Sequence, residues 1–192
     1  MKKIIFLSLA SFFFFQSLNA QSFQKGGTYV SIGLGGSNFL NISPGNNYFA
    51  GVYSPITGQF SVQAEWGIHK YVGLGLTTGI GGGAGVGRFG LFSTAAPQMN
   101  IPIGIISNFH FYQLIADKTG KDIKADKLDV YAGLNLGTGV GLFFPGSGVE
   151  PTALVFAGPQ VGVRYFFNDK MAVNGEVGYG KTWINVGLTF KL

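Results

Sequence analysis

Apolar and polar residues alternate along the last ten positions of the chain, 183–192. Every second residue is apolar and the residues between them are small or polar; the apolar positions are Ile184, Val186, Leu188, Phe190 and Leu192. Successive side chains of a β-strand point to opposite faces of the sheet. The spacing therefore predicts a strand with one apolar face.

The same alternation recurs in seven earlier segments. These predicted strands span residues 28–36, 59–68, 72–80, 100–112, 130–142, 160–167 and 171–179. Segments rich in Gly, Pro, Asn or charge separate them, which predicts tight turns at 69–70, 168–170 and 180–181, long loops at 39–57 and 81–98, and a shorter loop at 145–152. Eight antiparallel strands bring the chain back to the side where it started, as in bacterial outer-membrane barrels.

The strand face opposite the apolar row is rich in glycine and poor in charge. Its glycines include Gly73, Gly75, Gly79, Gly133, Gly137, Gly162 and Gly178. A face in contact with water normally carries more charged residues, whereas the interior of an eight-stranded barrel has little room for side chains. We therefore interpret the apolar rows as facing lipid. A secreted soluble β-protein, with its apolar rows inside, is the alternative.

The N-terminus has the three parts of a secretory signal peptide. Lys2 and Lys3 precede an apolar stretch at 4–15, and the small residue Ala20 precedes Gln21. The apolar stretch is shorter than the roughly 20 residues of a membrane-spanning helix. We predict a cleaved signal peptide at 1–20 and a single barrel domain at 21–192; a retained anchor helix is the alternative.

Composition narrows the possible functions. The chain has 32 Gly, 15% aromatic and 11% charged residues, and no Cys, which excludes disulfides and thiolate metal sites. Its net charge falls from +5 to +3 without Lys2 and Lys3, and the remaining basic residues form no stripe for nucleic acid. Residues 116–129 contain four Lys and four Asp, so we expect this segment to lie in water.

The last strand carries a short terminal motif. Polar, glycine, aromatic and apolar residues occupy Asn185, Gly187, Phe190 and Leu192. With the eight predicted strands, this motif makes the sequence after residue 20 resemble the small eight-stranded outer-membrane β-barrel proteins of Gram-negative bacteria, such as OmpX and the membrane domain of OmpA. The resemblance implies an all-β, antiparallel up-and-down transmembrane barrel in the outer membrane. It also implies that the barrel-assembly machinery recognises the motif, although this chain ends in Leu rather than Phe.

Charged residues on the inward face predict a polar network inside the barrel. Glu65, Arg164 and Glu176 lie at similar distances from their turns, and we expect Arg164 and Glu176 to pair across the 168–170 hairpin. His110, Tyr131 and Asn185 are expected to join them. The network would plug the barrel; a conducting pore is the alternative.

Aromatic residues suggest two further features. Those near strand ends would form interfacial girdles wherever they face outward, namely Tyr29, Trp66, Tyr71, Phe111, Phe143, Phe144, Phe166, Phe167, Tyr179 and Trp183. The long loops contain candidate contact residues for a surface or host protein, namely Tyr48, Phe49, Tyr53, Arg88, Phe89 and Phe92.

Catalytic and cofactor sites find little support in the sequence. His69 and His110 have no Ser and Asp placed for a triad. The G-x-G-x-x-G match at 85–90 is followed by no helix and no acidic residue about 20 positions on, so we interpret it as a loop. We therefore predict a structural or surface-interaction barrel without enzymatic activity, metal or cofactor, with outer-membrane lipid as partner; a small porin-like channel for small solutes or hydrophobic molecules is the alternative.

Overall fold

A computed structural model of the protein describes residues 22–37, 40–42, 58–84, 97–121, 123–144 and 148–192. The predicted signal peptide lies outside these residues. So do the candidate loop contacts Tyr48, Phe49, Tyr53, Arg88, Phe89 and Phe92, and the 85–90 glycine motif. Within the described residues, no helix has the length and hydropathy that crossing a membrane requires.

The described chain consists of strands and one helix. In order, these are β1 Thr28–Ser37, β2 Leu40–Ile42, β3 Gly58–His69, β4 Val72–Ala84, β5 Pro97–Phe109, α1 Phe111–Thr119, β6 Leu128–Phe143, β7 Glu150–Phe166, β8 Met171–Gly178 and β9 Thr182–Lys191. All strand pairs are antiparallel.

The sheet closes on itself. Apart from the short β2, each strand pairs with its neighbours in sequence, and β9 pairs back with β1, so that Ile32 lies opposite Leu188. The pairing of β7 with β8 completes the ring. The prediction of an all-β, eight-stranded, antiparallel up-and-down barrel is therefore confirmed.

The connections define two ends of the barrel. At the near end, β1 begins, β9 finishes, and the β3–β4, β5–β6 and β7–β8 connections lie. At the distal end, β1, β4, β6 and β8 finish, and β3, β5, β7 and β9 begin. There, β2 pairs with residues 153–155 of β7, with Leu40 opposite Val155. These residues lie past the part of β7 that pairs with β8, which is 160–166. This short strand has no counterpart in the sequence prediction.

Several predicted boundaries are wrong. The strand predicted at 72–80 continues to Ala84, and the strand predicted at 160–167 begins ten residues earlier, at Glu150. The strand predicted at 100–112 ends at Phe109, because residues 111–119 form α1. This helix ends at Gly120, whose φ of 61° suits glycine and whose N–H donates to the Ala116 carbonyl. The loop predicted at 145–152 is also shorter than expected, because β7 already begins at Glu150 and pairs with β6 over its full length.

The apolar rows face outward. Among the most exposed apolar side chains are Leu34, Ile103, Leu134 and Val186, each more than 60% exposed. The alternate positions are buried and mostly polar, as in β3, where Gln59, Ser61, Gln63 and Glu65 are at most 3% exposed. The barrel is therefore apolar outside and polar inside, the reverse of a soluble β-sandwich.

Candidate functional site

Glu65 lies at the centre of a buried polar cluster in the near half of the barrel. Its carboxylate contacts the Arg164 guanidinium from β7, accepts a hydrogen bond from Asn108 Nδ2 at 2.9 Å, and lies 3.0 Å from His110 Nε2. All four side chains are at most 2% exposed. Strands on opposite sides of the barrel thus meet through one carboxylate.

Asp129 is the second carboxylate of this cluster. Its side chain lies 2.8 Å from His110 Nδ1 and 3.5 Å from Arg164 Nη1. Both ring nitrogens of His110 therefore face carboxylate oxygens, and a ring that donates to both is an imidazolium. With Arg164, the cluster then has two positive and two negative groups.

The prediction that the whole of 116–129 lies in water is wrong at its last residue. Asp129 is 1% exposed, because it is the second residue of β6 and lies opposite Arg164 of β7. The direction of its side chain is fixed by the alternation of the strand. The described lysines of the segment, which precede β6, are exposed as expected.

A second buried cluster surrounds Glu176. Tyr131 Oη donates to its carboxylate at 2.7 Å, Gln63 Nε2 at 2.8 Å, Lys181 Nζ at 2.9 Å and Asn185 Nδ2 at 3.4 Å. The Arg164 guanidinium lies 4.5 Å from the centre of the Tyr131 ring, which joins the two clusters.

The predicted pair between Arg164 and Glu176 is wrong. In the β7–β8 register, Arg164 lies opposite Asn174, and Glu176 lies opposite Gly162, two positions farther from the turn. The Tyr131 ring occupies the space beside Gly162, so that Arg164 turns towards Glu65 and Asp129 instead. All six residues of the predicted network are nevertheless buried, and the structure brings them together in two linked clusters.

Several residues that bind Glu65 or Glu176 were not predicted from the sequence. Asn108 and Gln63 lie on the inward phase of their strands, which was a usable signal. Lys181 was predicted as a turn residue, yet it is 2% exposed and its ammonium group binds Glu176 inside the barrel. Its position just before β9 gave no indication of the inward direction.

The segment 22–27 lies across the near end. The Phe23 ring stacks on the His110 ring, with 3.4 Å between centroids and 7° between planes, and it is fully buried. Ser22 Oγ donates to the carbonyls of Ala125 and Leu128 at 2.9 and 3.1 Å, and Gly26 N donates to Gly67 O at 2.7 Å. This segment covers the Glu65 cluster from the near end.

Helix α1 is held against the β3–β4 turn at the same end. Asp117 accepts a hydrogen bond from Tyr71 Oη at 2.9 Å and pairs with Lys70 Nζ at 2.8 Å. Desolvation raises the pKa of Asp117, but the hydrogen bonds from Lys70, Tyr71 and Gln113 outweigh it and hold the pKa below its ordinary value. The helix is thereby fixed beneath the barrel.

The distal half of the interior is less charged. Leu154 and Phe156 of β7 face inward and are 1% exposed. Phe156 fits because β5 has Gly104 beside it, where a Cβ atom would lie 2.6 Å from Phe156 Cζ. Asn135 donates to Gln160 Oε1 and to the Tyr179 carbonyl, which links β6 to β7 and to the β8–β9 turn.

The predicted girdle residues divide by the direction of their side chains. Trp66, Phe144, Phe167 and Tyr179 are exposed. Tyr71, Phe111 and Trp183 are half-buried. The Phe143 side chain is not among those that the structure describes. Tyr29 and Phe166 face inward and are 1% and 3% exposed, so they cannot belong to a girdle.

The terminal motif lies on β9 and at its end. Asn185 faces the interior, and its Oδ1 accepts a hydrogen bond from Ser61 Oγ at 3.2 Å. Gly187 lies opposite Gly33 of β1, Phe190 is half-buried, and Leu192 is 74% exposed. The motif therefore sits on the strand that closes the barrel.

Comparisons with known proteins give matches in structure. No protein-family model matches the sequence, and a search of curated proteins finds no match. The outer membrane protein OprG from Pseudomonas aeruginosa is similar in fold, with a TM-score of 0.56 and 12% identity over 88% of this chain and 97% of OprG. The N-terminal β-barrel domain of OprF from Pseudomonas aeruginosa gives a TM-score of 0.52 and 12% identity over 88% of this chain and 98% of that domain. The fold is thus that of small outer-membrane barrels.

Proposed function

We propose that this protein is an integral outer-membrane β-barrel with a structural or surface-interaction role. The observation that carries the proposal is the outward belt of exposed aliphatic and aromatic side chains around a closed ladder with a polar interior. Lipid stabilises such a belt, and closure pairs the backbone groups that hydrocarbon could not solvate. The similarity in fold to OprG, an outer membrane protein, supports the same location.

The lengths of most connections indicate the orientation; the exceptions are the long β5–β6 connection, which contains α1, and the short β8–β9 turn. Outer-membrane barrels have short periplasmic turns and longer external loops. The tight β3–β4 and β7–β8 turns lie at the near end, which we therefore assign to the periplasm. The long segments 38–57 and 85–96 then lie outside, with the candidate contact residues for a surface or host protein.

We further propose that the interior is plugged rather than conducting. The Glu65 and Glu176 clusters connect strands across the barrel, and Phe23 covers the near end. The proposed role is non-catalytic, because His110 is enclosed between Glu65 and Asp129, and His69 is an exposed residue at the end of β3. A porin-like channel remains the alternative outcome of the following experiment.

Planar-bilayer recordings test the plug. The purified protein, inserted from detergent, is expected to give no reproducible single-channel openings at physiological salt, because charged and aromatic side chains fill the near half of the lumen. A general porin inserted under the same conditions serves as the positive control, and detergent alone as the blank. Openings of constant conductance whose frequency scales with protein concentration would establish the channel and contradict the plug.

The terminal motif is proposed as the signal for the barrel-assembly machinery. We expect Phe190→Ala, combined with deletion of Leu192, to reduce the folded protein in the outer membrane by severalfold and to increase its periplasmic degradation. Val173→Ala, on the outward face of β8, is the matched control for a lost apolar side chain. Equal amounts of heat-modifiable protein in outer-membrane fractions of the variant and the control would contradict this role.

A further inference from the structure

The near end carries a concentration of lysines that the sequence does not reveal. Residues 116–129 have equal numbers of Lys and Asp, which suggests a neutral segment. In the structure, Asp129 is inside the barrel with Arg164 and His110, and Asp117 is paired with Lys70. Among the described residues of the segment, four exposed lysines then stand against one other exposed carboxylate, Asp126, so this surface is basic.

Four lysines lie in the segment 116–129, at intervals of three residues. They are Lys118, Lys121, Lys124 and Lys127, and all four are exposed. Within the described residues, no carboxylate lies at ion-pair distance from Lys118, Lys121 or Lys127. In the described part of the chain, these three ammonium groups therefore face solvent without an ion-pair partner.

Other connections bring lysines to the same end. Lys25 precedes β1, Lys70 lies in the β3–β4 turn, Lys170 lies in the β7–β8 turn, and Lys191 ends β9. The lysines outnumber the carboxylates of this end that face solvent, even when Asp122 is added from the sequence. Among the described residues of the distal end, Glu150 is the one exposed charged side chain.

The lysines follow directly after the apolar belt. Ile68, Tyr165 and Phe167 are about half exposed on the outer wall at this end, two to five residues from Lys70 or Lys170. In a membrane, the group immediately beyond the hydrocarbon edge is the phospholipid phosphate. Lysines at that depth extend their ammonium groups to it, and each adds to the attraction of anionic lipid.

We propose that the near-end lysines form a binding surface for anionic phospholipid headgroups in the periplasmic leaflet. This inference rests on the proposed outer-membrane location and orientation. The apolar belt would hold the acyl chains, and the lysines at the end of α1 and in the α1–β6 connection would bind the phosphates. The surface thus fixes the depth of the barrel and enriches anionic lipid beside β6 and β7.

Spin-labelled lipids provide the test. The protein, expressed from its full sequence and purified from outer membranes, is reconstituted in phosphatidylcholine vesicles with a trace of spin-labelled phosphatidylglycerol or phosphatidylcholine. We expect the motionally restricted fraction to favour phosphatidylglycerol by at least about threefold at low salt. The preference should fall towards one in 1 M NaCl, because salt screens charges at the surface.

Two triple variants localise the effect. Lys118→Gln/Lys121→Gln/Lys127→Gln is expected to lose most of the preference, whereas Lys118→Arg/Lys121→Arg/Lys127→Arg, the matched control, keeps it. Unchanged heat-modifiable gel mobility establishes that both variants fold. An equal preference in the Gln variant and the wild type, or none in the wild type, would overturn the inference.

The outcomes also separate this inference from the proposed function. A wild-type sample with no restricted lipid component at all would mean that the protein is not in the bilayer, which would overturn both. A restricted component without headgroup preference would overturn this inference alone. Co-sedimentation with purified peptidoglycan that the Gln variant loses, without lipid preference, would assign the lysines to the cell wall and overturn it too.

Discussion

Replacing Arg164 with alanine is expected to lower the free energy of unfolding by about 3–5 kcal/mol, because it leaves two buried carboxylates with too few partners. Glu65 and Asp129 are each 1% exposed and share Arg164 and His110. The variant also loses the contact between the guanidinium and the Tyr131 ring. The measurement is a urea titration of the protein in vesicles, followed by heat-modifiable gel mobility.

Two further variants make this prediction specific to the cluster. Lys121→Ala removes an exposed cation at the near end and, in phosphatidylcholine vesicles without anionic lipid, should change stability by less than about 0.5 kcal/mol. Asp129→Asn in the Arg164→Ala background should restore part of the loss, because it removes one of the uncompensated charges. An unfolding free energy unchanged by Arg164→Ala would show that the cluster does not stabilise the barrel.

The strands were predictable because lipid imposes a simple pattern on them. A strand between hydrocarbon and a narrow interior needs apolar residues at every second position, and glycine or polar residues between. β3 follows this rule closely. Its apolar residues from Phe60 to Trp66 face outward, whereas its polar residues from Gln59 to Glu65 face inward. The pattern therefore determines both the number of strands and the face on which each residue lies.

The arrangement of the interior was less predictable. Alternation gives the face of a residue but not its height relative to residues on other strands, which depends on the register. For this reason Glu65, Arg164 and Glu176 were expected inside, while the pairing of Arg164 with Glu176 was wrong. The partners from residues close to turns, Asp129 and Lys181, were missed because the alternation is too short there to assign a face.

Helix α1 shows how a local signal can be hidden by a longer one. The aromatic residues Phe109 and Phe111 continue the alternation of β5, so the strand prediction extended past its true end. The signals for a helix end were nevertheless present, with Lys118 in the last turn and Gly120 directly after it. The packing of Phe23 against His110, by contrast, has no counterpart in periodicity, because it joins a segment outside the strands to the barrel interior.

Arginine at the middle of the apolar belt tests whether the belt faces hydrocarbon. Leu136 lies halfway along β6, is 54% exposed, and has Ile105 and Ala157 as its cross-strand neighbours. We expect Leu136→Arg to lower the free energy of unfolding in phospholipid vesicles by about 2–4 kcal/mol, because an arginine at the bilayer midplane must be desolvated or must distort the lipid. The same urea titration measures it.

The matched control is the same substitution at the edge of the belt. Ile68 is 50% exposed and lies one residue before the end of β3, so Ile68→Arg should cost only about 0–1 kcal/mol, as for positions near the interface. This dependence on depth separates a lipid-facing wall from a water-facing one. On a water-facing wall, both substitutions would change the free energy of unfolding by no more than about 0.5 kcal/mol. Two equally small effects would therefore mean that the exposed apolar rows do not lie in a membrane, whatever the barrel fold suggests.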